Sequence, residues 1–190
     1  ELDRAMAKAD VVYVGDYHTL AQAQRSLLRL LRRLPPERPV TLALEFVQGR
    51  HQRFLDGYLA GRISERTFLH GIQHLTHWGC GIWPNLKEIL ALARERGYRA
   101  LGIDTAGQGP AGASLKARDR YAARRIAKAV QENPNCLVMV LVGELHIAPS
   151  HLPAEVDKAL RRKGLTARRL IVYQNCHQIY WQLEARGLEH

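Results

Sequence analysis

LVMVLVGELH, residues 137–146, is an apolar run that breaks on Gly143 and delivers Glu144 and His146. A run with no polar alternation is what a strand covered on both faces of a sheet requires, since neither side of its pleat meets water. VVYVGDYH, residues 11–18, repeats the phrase: an apolar run, Gly15, then Asp16, Tyr17 and His18. Both read as buried strands leaving through a G-x-x-H exit, with a glycine that permits a sharp turn and close approach of a ligand to the backbone.

Working outward, 40–46, 99–104 and 168–174 read as further strands, making five with 11–15 and 136–143. Helical patterns fill the gaps. Leu20, Leu27, Leu28, Leu31 and Leu34 make one face before Pro35 and Pro36. A second helix spans 48–59, and a third runs from the N-cap Ser64 toward Trp78. Pro84 suits the first turn of a fourth, which Gly97 ends. Leu115, Ala122, Ile126 and Val130 stripe a long basic helix, and Pro153 opens one that ends near Gly164. QIYWQL at 178–183 could return on 168–174 as a C-terminal hairpin. Alternating strands and helices predict an α/β fold, a three-layer sandwich whose largely parallel central sheet is flanked by helices. One domain, 1–187, suits the length, and Leu188 to His190 read as the start of an affinity tag.

In such sheets ligands sit beyond the carboxyl ends of the strands. Asp16, His18, Glu45, Asp104, Glu144 and His146 should therefore converge on one edge. Two imidazoles and neighbouring carboxylates are the ingredients of a divalent metal site on His18, Glu45 and His146. They equally suit a general base oriented by an acid, with Asp16 or Glu144 in support.

The composition narrows the field. With 46% hydrophobic and 24% charged residues among 190, the chain reads as a folded protein, and no apolar run approaches the ~20 residues that span a bilayer. The net charge of +10 is spread over helices as scattered Arg. Its densest stretch, KARDRYAARRIAK at 116–128, lacks interleaved aromatics, so specific nucleic-acid binding is not expected. Cys80, Cys136 and Cys176 stand too far apart for a zinc ribbon or disulfide framework. GQGPAG at 107–112 matches G-x-G-x-x-G, but Pro110 removes a phosphate-binding donor, so a loop beside the cleft is expected. The absence of G-x-S-x-G argues against a serine hydrolase.

GDYH, ALEF at 43–46 with Gln52, FLDGYLAGRISERTFL, the WG at 78–79, the RD at 118–119 and GELH with HLP at 151–153 occur in an order that resembles the ChaN-like haem-binding uptake proteins. These belong to the Tiki, TraB and erythromycin-esterase superfamily. The resemblance implies an α/β fold with His18, Glu45 and His146 in one cleft. It also implies haem binding in bacterial iron or haem uptake, haem taken into the cleft or at the interface of a homodimer, and a lipid-anchored place on the periplasmic side of the envelope. Membrane association would come from a leader or lipid anchor preceding the segment. The alternative within the superfamily is a metal-dependent hydrolase, protease- or esterase-like. Asp16 stands where many relatives carry glutamate.

Haem would need an iron ligand, for which Tyr17 and the histidines of HGIQHLTHWGCGIW are candidates. On one helix His70, His74 and His77 fall at about 0°, 40° and −20°, opposite Phe68, Ile72 and Leu75. Without Cys-x-x-Cys-His, covalent haem attachment by that route is excluded.

Overall fold

A computed structural model describes residues 1–18, 20–73, 81–105, 113–174 and 185–186. These form five strands: β1 (Val11–Asp16), β2 (Val40–Gln48), β3 (Arg99–Asp104), β4 (Leu137–Gly143) and β5 (Arg169–Val172). Between them lie seven α-helices among the described residues: α1 (Leu2–Lys8), α2 (Ala21–Arg33), α3 (Gln52–Leu59), α4 (Glu65–Gly71), α5 (Trp83–Glu95), α6 (Leu115–Glu132) and α7 (Leu152–Arg161). The sheet runs β3-β2-β4-β1-β5 and every pairing is parallel.

Period-two alternation sorts the core into two layers. Leu137, Met139 and Leu141 of β4 face the layer of α1 to α5, whereas Val138, Val140 and Val142 face α6 and α7. β1 divides likewise, with Val12 and Val14 on the first side and Val11 and Tyr13 on the second. The topology explains the division. Connections running β1 to β2 to β3 travel one way along the sheet and those running β3 to β4 to β5 travel back. Crossovers of one hand must then place their helices on opposite faces. Central β4 therefore sends its helix to one face while both its neighbours, β1 and β2, send theirs to the other, which opens a crevice at its carboxyl end.

Several elements depart from the expected ones. Leu20 lies outside α2 and is exposed, because the helix starts only at Ala21. β2 continues to Gln48, and a short 3-10 turn at Gly49–His51 precedes α3. The third helix does not run toward Trp78: α4 ends at Gly71 and Gln73 adopts φ 55°, a left-handed conformation that helices do not contain. His70 lies in the last turn of α4, while His74 and His77 lie outside the described residues, as do the predicted hairpin at 178–183 and the loop at 107–112.

β3 forms one edge of the sheet, and Gln52 covers it. Its Nε2 donates to the Ala100 carbonyl at 2.9 Å and the Gly102 N–H donates to its Oε1 at 2.9 Å. Beside this, β2 bulges: Leu44 pairs with Gly102 and Gln48 with Asp104, so β2 spends extra residues around Glu45. Bulges of this kind re-aim side chains beside functional sites. Gly102 makes room for it, since a Cβ there would lie 2.7 Å from the Val47 carbonyl oxygen.

Candidate active site

β1 and β4 end in register, with Asp16 opposite Gly143. The two G-x-x-H exits therefore emerge side by side, and the β2 bulge brings Glu45 to them. His18 Nδ1 bonds Asp16 Oδ2 at 2.8 Å, and its Nε2 faces Glu45 Oε2 at 3.8 Å. His146 Nδ1 bonds Asp119 Oδ1 at 2.5 Å, and its Nε2 lies 3.3 Å from Glu45 Oε1. Two carboxylate–imidazole pairs thus converge on one buried glutamate from opposite sides.

Glu45 is held by more than the histidines. The Gly143 N–H donates to Oε2 at 2.6 Å, and the Arg118 guanidinium donates to Oε1 while its Nε bonds Asp104 Oδ1 at 2.7 Å. Gln24 Nε2 donates to Asp16 Oδ1 at 2.5 Å and fixes the outer acid of the first pair. Burial alone would raise the Glu45 pKa, but the His146 hydrogen bond and charge, then Arg118 and the Gly143 N–H, override it and hold the group at about 2. Burial likewise depresses His146, and the bonds to Asp119 and Glu45 overcome that and raise it to about 9. His18 is raised for the same reason, with Asp16 and Glu45 outweighing its burial. At neutral pH the site therefore contains a buried glutamate anion and a buried imidazolium, with His18 the more accessible imidazole at 38% side-chain exposure against 7% for His146.

The sequence-predicted residues Asp16, His18, Glu45 and His146 come together. Glu144 does something else: its carboxylate packs over Gly15, where a Cβ would lie 1.8 Å from Oε2. The two glycines accordingly make room for side chains of this chain. His18 Nε2 is 3.2 Å from where a Gly143 Cβ would sit, and neither glycine adopts the left-handed backbone found at Gly97 and Gly164. Arg118 and Asp119 were not foreseen as site residues. The available signals were the RD pair of the family pattern and Asp119 as the one acid among six Lys and Arg at 116–128; the fold buries it to 3% exposure. Ser114 caps that helix by accepting from Ala117 N at 3.3 Å, which sets the first turns and so the aim of both side chains.

As placed, Glu45 is engaged by the Arg118 guanidinium and the Gly143 N–H, and both histidines hold a carboxylate on Nδ1. Among the described residues no group of three or more His, Cys, Asp or Glu is arranged to hold a metal ion. The geometry suits acid–base work, with Asp16 orienting His18 and Asp119 orienting His146.

Tyr17 is half-buried immediately before His18, and His70 is exposed in the last turn of α4. Leu20, Leu145 and Tyr173, at 46%, 74% and 50% exposure, follow β1, β4 and β5, three adjacent strands, and so rim the same sheet edge with apolar surface.

The sequence pattern of the haem-binding uptake family of the Tiki superfamily, ChaN, matches residues 2–108. Among solved structures, ChaN of Campylobacter jejuni, described for cofacial haem binding, superposes with a TM-score of 0.65 at 14% identity, over 93% of this chain and 85% of that one. The type III effector HopBA1 has a TM-score of 0.56 at 20% identity, over 78% of this chain and 73% of that one. RRSP, a MARTX toxin effector domain of Vibrio vulnificus, has 0.55 at 18%, covering 77% of this chain and 31% of the other. No curated protein sequence matches. The family match spans more than half of the sequence, and the fold is shared with a solved ChaN, so the chain belongs to the ChaN haem-binding uptake family of the Tiki superfamily.

Proposed function

We propose that this protein binds haem at the carboxyl edge of its sheet, in bacterial haem or iron uptake at the cell envelope. The observation that carries the reading, beyond family membership, is the apolar rim of Leu20, Leu145 and Tyr173 beside a polar floor. A porphyrin offers a flat apolar face to such a rim, and the desolvation of large apolar side chains favours its seating at roughly 25 cal/mol per Å². His18 and His146 both direct Nε2 at Glu45, which leaves Tyr17 and His70 as the described candidates for an iron ligand. Haem titrated into the protein should saturate at a defined ratio with a shifted Soret band, and Tyr17→Phe should change the band if the phenol ligates iron. A featureless rise without saturation would overturn the proposal.

A second reading rests on the paired relay itself. A buried imidazolium at His146 can stabilise developing negative charge, and His18, once deprotonated, presents Nε2 to the cleft as a base held by Asp16. This supports hydrolysis of an ester or amide without routing a step through a metal. If the chain hydrolyses such a substrate, the rate should climb as pH rises through the raised pKa of His18, and His18→Ala should remove that limb. An unchanged profile in His18→Ala would exclude His18 as the base.

A further inference from the structure

We infer that the outer face of α6 and α7 is a docking surface for an anionic lipid bilayer, independent of the haem reading. Lys116, Arg120, Arg124 and Lys128 recur every fourth residue along α6, and all four are exposed. Side chains at that spacing share one helix face, so the row extends about 18 Å at 1.5 Å per residue. α7 lays a second row beside it, with Lys158, Arg161 and Arg162 exposed. Between the rows is a groove of about 350 Å³ lined by Arg120, Arg124, Lys158, Arg162 and the single carboxylate of Glu155. Glu155 bonds Lys158 at 2.8 Å and lies 4.0 Å from Arg120, which fixes two of the cations at the groove. Arg124 and Arg162 have no carboxylate partner among the described residues.

In the opposite helical layer, three of the four α2 arginines have a polar partner. Arg33 pairs with Asp3, Arg32 lies 4.0 Å from Glu88, and Arg25 donates to Asn85. The α6–α7 face differs in arrangement: its exposed cations form two adjacent rows, with Lys128 lying 3.6 Å from Glu132 at one end. Its shape selects the partner. A small anion would need only the groove, whereas two parallel helical rows about 8–10 Å apart make a two-dimensional array, which matches a plane of phosphate headgroups. Single-stranded nucleic acid would need exposed rings to stack its bases, and the one aromatic of α6, Tyr121, is half-buried with Arg124 and Arg125 over its ring. Arg forks suit phosphate oxygens, and the surface offers no apolar wedge, so attachment should be electrostatic and salt-sensitive.

Co-sedimentation of the whole chain with phosphatidylcholine vesicles containing phosphatidylglycerol, against phosphatidylcholine alone, tests this. Binding only to the anionic vesicles is expected, reversed by added salt. Arg124→Gln with Arg162→Gln should weaken it about tenfold or more. Arg29→Gln with Arg32→Gln removes the same charge from the opposite layer and should leave it nearly intact. Equal losses from the two pairs, equal binding to zwitterionic vesicles, or tighter binding to single-stranded RNA than to anionic vesicles would each overturn the proposal. Both double variants should keep the wild-type unfolding temperature and haem titration, which separates failure of docking from failure of folding or of the haem reading.

Discussion

Asp119 is 3% exposed, and the His146 that it holds sits well above the ordinary histidine range at about 9. Removing the charge with Asp119→Asn should drop the His146 pKa toward 6.5, read by NMR titration of the ring, and cost about 1–3 kcal/mol of stability. The sign of the pH dependence follows. A histidine raised on folding stabilises fully below its unfolded pKa of 6.5, and that contribution is lost as pH rises toward about 9. Glu45, depressed from 4.5 to about 2, contributes above 4.5 and loses its contribution as pH falls toward 2. Because these are two sides of one ion pair, they act as a single stabilising unit, complete between 4.5 and 6.5. Unfolding free energies measured across pH should show that plateau, and Glu45→Ala should flatten it while costing about 3–5 kcal/mol by removing the carboxylate that Arg118 and His146 share. Of this chemistry the sequence announced His18, Glu45 and His146 through their places at strand ends. Arg118 and Asp119 entered only as the RD of the family pattern and not as site residues, because their place in the site depends on how α6 packs on the sheet.

The bulge in β2 is what carries Glu45 from a sheet register into the crevice, and Gly102 on the adjacent strand permits it. Gly102→Ala would press a methyl against the Val47 carbonyl, a backbone atom that cannot rotate aside. It should cost about 1–3 kcal/mol and shift the His146 titration as Glu45 moves, whether followed by denaturant melts or by NMR. Gly15→Ala is the contrasting case. Its closest neighbour is the tip of Glu144, a flexible carboxylate that can swing away, although Ile147 Cδ1 at 2.8 Å must also yield. A smaller loss is expected there, with the His18 and His146 titrations kept. The strands were readable because continuous apolar runs have few alternatives. Element ends were not: α2 omits Leu20, and α4 stops at Gly71, where continuation to Trp78 had been expected from periodicity alone. Periodicity reports which face would be buried if a helix formed, and says little about where left-handed backbone such as that at Gln73 interrupts it.

For the whole molecule, the parallel order β3-β2-β4-β1-β5 concentrates chemistry at one end, because central β4 sends its chain to the face its two neighbours avoid. The alternation of strands and helices predicted the layers and the parallel sheet. The order of the strands was not legible, since many orders satisfy the same alternation and only side-by-side packing of the runs decides among them. The charge of +10 was plain from composition, while the pairing of individual cations depended on which carboxylates the folded helices set beside them.

Gln52 supplies the edge strand with one donor and one acceptor spaced as a residue of a sixth parallel strand would be. Arg125 donates to the same oxygen at 2.9 Å, and Asp56 accepts from the same nitrogen at 2.8 Å, so the amide is fastened from both sides. A sheet finished this way is deaf to passing chains: a second copy cannot lengthen it at β3 without first evicting the side chain that impersonates a neighbour. Gln52→Ala should therefore leave the site chemistry in place and yet make the protein grow into aggregates in concentrated solution, visible as rising light scattering, where the parent stays clear.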